Sequence, residues 1–250
     1  MRQVFIQFPW VHEPAPNAFY ALFRRYGQPL HLKPGQSLYN GGVEGEVAWV
    51  VKGLCGFQMR DSKLNPHYFT LVPAGRLVGN VDAYTGSVVN IVDVALRPTD
   101  VLLLSRHTFL QMLHQDVALN DAHTEMLVHE HESDMEGLFS AMTDTIAVRL
   151  ARLLAALIFQ DEKRLTFNWD KALERFTPTP IPYQLTVTEL AQTIGATRTM
   201  TSMTLSAWEK SGLLRREGTT RVVTRALLAQ ATDWLTSEEG VKTACLTLNR

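Results

Sequence analysis

The chain has little cysteine: two in 250 residues, Cys55 and Cys245. That excludes a cysteine-only zinc or iron–sulfur centre within one chain, and no disulfide framework is available to staple the fold. Such sparse thiol usage fits a reducing compartment, so a cytoplasmic location is expected. Long hydrophobic runs are missing as well. None approaches the ~20 apolar residues that a bilayer-spanning helix needs. The opening MRQVFIQFPWVHEP lacks the positive-then-apolar order of a secretion signal, so no membrane partner is expected. An excess of one charge is also lacking, with 24 Lys+Arg against 25 Asp+Glu and a net charge of −1. Internal repeats and low-complexity tracts are absent. What remains is 46% hydrophobic and 20% charged, an ordinary globular texture long enough for two domains.

Charge is balanced overall but not locally. Between Gly195 and Arg225 stand Arg198, Lys210, Arg215, Arg216, Arg221 and Arg225 against Glu209 and Glu217, a local balance of +4. This patch lies within LTVTELAQTIGATRTMTSMTLSAWEKSGLLRREGTTRVV, residues 185–223. Thr186 and Glu189 have the spacing of a capping box. A short helix follows, with Val187, Leu190, Ala191 and Ile194 on one face. Gly195 supplies a left-handed turn, and Thr197 can cap a second helix that Gly212 stops. Residues 217–220 carry turn chemistry between two strand-like segments. Helix, glycine turn, helix and hairpin make a winged helix-turn-helix, a unit that places one helix in the DNA major groove. The candidate DNA-binding residues are Thr186, Thr197, Arg198, Thr199, Thr201, Ser202, Met203, Lys210, Arg215, Arg216 and Arg221. A solvated helix face this rich in Thr and Ser is a poor helix former, which favours contact over filler.

Upstream, residues 16–29 suggest a short amphipathic helix. Residues 30–106 alternate short β-rich runs with Gly, Pro and Asn turns, the texture of a roll or sandwich. From about 120 to 160 apolar residues recur at three or four positions, which predicts one helix of ~60 Å. Val128, Met135, Leu138, Met142, Ile146 and Leu150 form its expected dimer seam, because so long a stripe is most economically buried against its own copy. Residues 161–184, with Pro178, Pro180 and Pro182, are expected to be an extended linker.

In this order, β-roll, long helix, linker and winged helix-turn-helix resemble the Crp/Fnr family of bacterial transcription regulators. KPGQSLY at 33–39, WVVKGLCGF at 49–57 and PAGRLVG at 73–79 carry the resemblance upstream, and LTVTELAQTIGATRTMTSMTLSAWEKSGLL carries it downstream. The resemblance implies an α+β fold: an N-terminal β-roll (jelly-roll) sensor domain over 1–119, a dimerisation helix over 120–160, a linker over 161–184 and a winged helix-turn-helix domain over 185–250. It implies a homodimer on a palindromic double-stranded operator, RNA polymerase as a further partner and a small-molecule effector of unknown identity. No cofactor is implied.

Two departures from the family pattern stand out. Its cyclic-nucleotide binders use a Glu after the second glycine and an Arg–Ser pair further on. Here Asn80 follows Gly79, and Val89–Asn90 fall at the Arg–Ser place. No arginine occurs from Gly79 to Ile91, and a buried phosphate without a cation is badly compensated. Gly79, Asn80, Val89 and Asn90 therefore mark an effector pocket that is not expected to take cAMP. In the second helix, Thr199 and Met203 stand where the family places a base-reading Glu and Arg, so a different operator is expected.

Other signals are weaker. His129–Glu130–His131–Glu132 misses the zinc-protease pattern, because position 133 is Ser133. Cys55 in an apolar strand reads as a small buried hydrophobe. The rival to a regulator is a cupin-like metal enzyme with an accessory C-terminal domain. It would need a His-x-His cluster, and His67 stands alone.

Overall fold

The computed structural model describes residues 5, 7–38, 45–62, 65–85 and 91–232. The chain divides into two compact units. One is Trp10–Asp134, and the other joins the N-terminal residues up to Pro9 with Met135–Arg250.

In the first unit, α1 (Asn17–Tyr26) precedes β1 (Gln28–Leu32), β2 (Ser37–Leu38), β3 (Glu46–Lys52), β4 (Leu54–Arg60), β5 (Pro66–Pro73) and β6 (Leu77–Val78). Then come α2 (Asp82–Thr85), β7 (Ile91–Ala95), β8 (Thr99–Ser105), α3 (Arg106–Gln115) and the start of α4 (Val117–Thr143). The strands form two four-stranded antiparallel sheets, β1-β8-β3-β6 and β2-β7-β4-β5. This is the expected roll. Strand alternation explains how β3 serves two cores. Val47 and Trp49 join Phe19, Phe23 and Phe109 on one face, while Ala48 and Val50 join Val72, Val78 and Val101 on the other. Gly53 turns the chain from β3 to β4 at φ +100°, and a Cβ there would lie 2.5 Å from the Pro98 carbonyl oxygen. Only glycine fits both demands.

The expected 40-residue helix is two helices. α4 ends at Thr143 and α5 (Ile146–Ile158) begins after Asp144 and Thr145. The Thr145 hydroxyl accepts from the Val148 N–H at 3.4 Å and caps α5. Neither Gly nor Pro marks the break; an N-cap threonine inside an apolar-periodic run does. Arg152 secures the junction, donating to Asp144 Oδ2 at 2.6 Å and pairing with Glu136 Oε1.

In the second unit, α5 is followed by a 3-10 turn (Arg164–Thr166), α6 (Trp169–Arg175), β9 (Thr179–Pro180) and a second 3-10 turn (Pro182–Gln184). The helix-turn-helix comes next, as α7 (Val187–Thr193) and α8 (Arg198–Lys210). β10 (Leu214–Glu217), β11 (Thr220–Val223) and α9 (Arg225–Thr232) close the described chain. The core places α5 against α8 and α9, with Leu150, Leu153, Leu154, Leu190, Leu205, Leu227 and Leu228 buried. The stretch expected as a linker is therefore structured. Phe159, Phe167, Trp169 and Phe176 pack edge to face with one another and with Phe8, and β9 pairs with β11. Proline-rich composition favoured extended backbone correctly, but extended backbone is also what a sheet edge accepts.

Candidate nucleic-acid interface

The helix-turn-helix is assembled by local bonds that its sequence announces. Thr186 Oγ1 accepts from the Glu189 N–H at 3.2 Å, and the Thr186 N–H donates to Glu189 Oε2 at 2.7 Å, completing the capping box. Gly195 takes φ +63° between the helices. Thr197 Oγ1 then accepts from the Met200 N–H at 3.2 Å and starts α8. A contributor from outside the motif holds the turn. Arg149 of α5 donates to the Ile194 and Gly195 carbonyls at 3.1 and 3.3 Å. Sequence reasoning missed this arginine, because its partners lie more than forty residues away.

α8 is anchored by Thr201, Leu205 and Trp208, all buried. On a helix of 3.6 residues per turn, the opposite face holds Thr199, Met203, Ser206 and Lys210, with Ser202 and Met200 beside it. These six are exposed, and Met203 retains 61% of its surface. Arg198 is exposed in the first turn, on the flank between this face and the buried one. Ser206 and Met200 therefore join the candidate face, while Thr201 leaves it. Thr201 is fully buried and its hydroxyl returns to the Thr197 carbonyl at 3.1 Å.

The wing is β10 and β11 with a turn at Gly218, φ +61°. Arg215 and Arg216 are exposed on β10. Arg221 is only half-exposed; its Nε donates to Glu209 Oε1 at 2.9 Å, and Arg216 Nη1 lies 4.0 Å from Glu209 Oε2. Glu209 of α8 thus ties the wing to the outward helix. Arg221 serves that tie, a role the expectation of a free phosphate contact did not include.

The seam residues divide. Val128, Met135, Leu138 and Met142 are exposed on α4. With Val117, Asp121, Thr124 and His131, also exposed, they recur at alternating intervals of four and three, a heptad stripe. Ile146 and Leu150 lie beyond the break on α5. Leu150 is fully buried in its own unit, so it packs within the chain and leaves the seam.

Of the effector-pocket residues, Val89 and Asn90 lie outside the described residues. Gly79 and Asn80 line a cavity of about 330 Å³ in the first unit, together with His12, Asp93, Glu130, His131 and Asp134. Asn80 Nδ2 donates to Glu130 Oε2 at 3.1 Å. Burial lifts the Glu130 carboxyl above its ordinary range, opposed by His12 and Asn80. Burial pulls the His12 imidazole down, but Glu130 and Asp134 outweigh it and the net shift is upward. Among the described residues, neither Lys nor Arg lines this cavity.

Cys55 is fully buried, and burial followed by Asp93 pushes its thiol up to about 12. At that value it is an inert core group, not a redox switch. Among the described residues no group of three His, Cys, Asp or Glu is placed to hold a metal ion. Among them, too, no helix is long and apolar enough to cross a membrane.

Residues 148–231 match the family model of the Crp-like helix-turn-helix domain. That span begins in α5, in keeping with the Arg149 contacts. The structure is similar to FixK2 from Bradyrhizobium japonicum, with TM-score 0.67 and 16% identity over 82% of this chain and 96% of that one. It is similar to a Crp/Fnr-family transcriptional regulator from Thermus thermophilus, with TM-score 0.62 and 18% identity over 82% and 98%. It is also similar to a CooA mutant from Carboxydothermus hydrogenoformans, with TM-score 0.63 and 14% identity over 92% and 98%. No curated protein matches the chain. Residues 148–231 therefore form a Crp-like helix-turn-helix domain, and the chain shares the fold of these regulators across most of its length.

Proposed function

We propose that the protein is a homodimeric, sequence-specific DNA-binding transcription regulator that reads its operator with α8. The outward face of α8 carries this reading. Its inner face is anchored, its start is capped, and Thr199, Ser202, Met203, Ser206 and Lys210 stand exposed on the other side. Thr199, Ser202 and Ser206 offer single hydrogen bonds to base edges, and Met203 suits a thymine methyl. Arg198 supplies a bidentate contact to guanine or a phosphate contact. Lys210, Arg215 and Arg216 supply phosphate affinity. Thr186 and Thr197 stand at helix N-termini, where phosphates bind.

The exposed stripe of α4 supports pairing with a second copy, which matches two recognition helices to two half-sites. RNA polymerase enters as the partner of a promoter-bound dimer. A described cavity lining without Arg or Lys argues against cAMP as effector. The function is one of binding, not of catalysis.

Selection of bound DNA from a random pool tests the reading. The expected product is a palindrome with half-sites about one helical turn apart. Arg198→Ala is expected to weaken specific binding by ~1–3 kcal/mol and to relax one operator position. Unchanged binding in that variant reassigns the recognition face.

A further inference from the structure

The cavity in the β-roll has walls of two kinds. Phe57, Val72, Val78 and Leu127 make it apolar, while Asp93, Glu130 and Asp134 bring three carboxylates to its lining. We propose that this cavity binds a small organic cation, a protonated amine or guanidine on an apolar body, and rejects anionic nucleotides. The chemistry of the lining carries the assignment. A single imidazole serves two of the acids: His12 Nε2 lies 3.2 Å from Asp134 Oδ1, and His12 Nδ1 lies 3.6 Å from Glu130 Oε1. Thr70 donates to the same Asp134 oxygen at 2.6 Å. Even with His12 protonated, the described lining holds more carboxylates than cations. Arg76 is buried nearby but outside the lining, and it donates to the His12 and Ala74 carbonyls at 3.1 and 2.6 Å.

Carboxylates withdrawn from water are costly unless a cation meets them in fixed geometry, and an anion in the same place meets repulsion. A bare metal ion does not fit, since no metal-holding group of three donors occurs among the described residues. The apolar walls instead suit the carbon body of an organic cation, with the Phe57 ring available to a nearby positive charge. A volume of about 330 Å³ lies at the lower end of small-molecule sites, which are roughly 300–1,000 Å³.

The cavity's regulatory meaning rests on the DNA-binding reading above. Helix α4 lends Leu127, Glu130, His131 and Asp134 to the cavity and Val128, Met135, Leu138 and Met142 to the exposed stripe. His131 belongs to both. A cation drawn to Glu130 and Asp134 therefore acts on the pairing helix, and shifts pairing by its differential affinity for the two helix states.

The test uses the full chain with tyramine, agmatine and cAMP as probes in thermal melting and calorimetry. An amine at well above its dissociation constant is expected to raise Tm by about 2–4 °C, and cAMP by nothing. Glu130→Gln with Asp134→Asn is expected to weaken amine binding at least about tenfold. Val81→Phe, at an exposed lining position, is expected to fill the cavity while leaving its carboxylates in place, and so to abolish the shift. No shift with either amine, a shift with cAMP, or an amine shift that survives both variants overturns the proposal. Operator binding, measured on the same samples, separates the two readings. Its loss with the amine response intact defeats the regulator alone, and the reverse defeats only the cation site.

Discussion

Two residues separate α4 from α5, and the two helices are built in opposite senses. α5 buries what an amphipathic helix should bury: Leu150, Leu153, Leu154 and Leu157. α4 buries Glu130, Ser133, Glu136 and Ser140 while exposing Val128, Met135, Leu138 and Met142. Met142 keeps 83% of its surface open to solvent. Leu119 and Met126 of the same helix are buried, but the stripe from Val128 to Met142 leaves apolar surface open, and such a stripe marks an interaction face. α5 completes its own unit's core; α4 leaves an apolar stripe exposed, the face proposed above to meet a second copy.

The largest effect should come from the junction of the two. Arg152 holds Glu136 of α4 and Asp144 in a buried triad. Arg152→Met leaves two buried carboxylates without their cation and is expected to cost about 3–5 kcal/mol in urea unfolding. A loss below about 1 kcal/mol would mean the junction is held by something else.

A paired substitution sharpens the contrast directly. Leu150→Ala on α5 is expected to lose about 2–5 kcal/mol of stability without changing oligomeric state. Leu138→Asp with Met142→Asp on α4 should do the opposite, shifting sedimentation from a dimer toward the 28.1 kDa chain. A dimer that survives the double substitution would refute the α4 seam.

The buried polar side of α4 gives a pH signature. His123 is fully buried, with Phe109 at 5.3 Å, Tyr84 at 5.6 Å and Phe19 at 5.8 Å between ring centroids. Its Nε2 has no hydrogen-bond partner among the described residues. Burial pushes its pKa down to about 4 from 6.5. The unfolded chain therefore binds the proton first as pH falls. The stability of the neutral form is fully present above about pH 6.5 and is lost as pH drops toward 4, by about 2–3 kcal/mol. His123→Phe should flatten that part of the stability profile, and an unchanged slope would assign the loss to other groups.

The smallest effect concerns the cap that divides the helices. Thr145→Ala is expected to cost about 1 kcal/mol, comparable to Thr186→Ala at the capping box. Melting temperature reads both. No change at Thr145 would leave the break to the Arg152 triad alone.

Much of the candidate interface was legible beforehand, because it is written in neighbours. The Thr186–Glu189 box, Gly195, the Thr197 cap and the Gly218 turn need partners no more than a few residues away. The break at 144–145 was legible in principle, since Thr145 has the spacing of an N-cap, but the apolar period running through it concealed the stop. Thr201 reads like its exposed neighbours in sequence and differs only because its face of α8 packs inward. Arg221 reads as a basic wing residue, and only the approach of Glu209 gives it a tether.

The sequence alone determined the order of elements, the β texture upstream, the helix-turn-helix with its caps, and the absence of a phosphate arginine. Each follows from local backbone preference or from composition. Only the tertiary structure decided that Leu150 belongs to its own core, that β9 completes the wing, that Arg149 holds the turn, and that His12, Glu130 and Asp134 meet in one cavity. Those outcomes depend on which distant surfaces exclude water together, and periodicity within one segment carries no record of its partners.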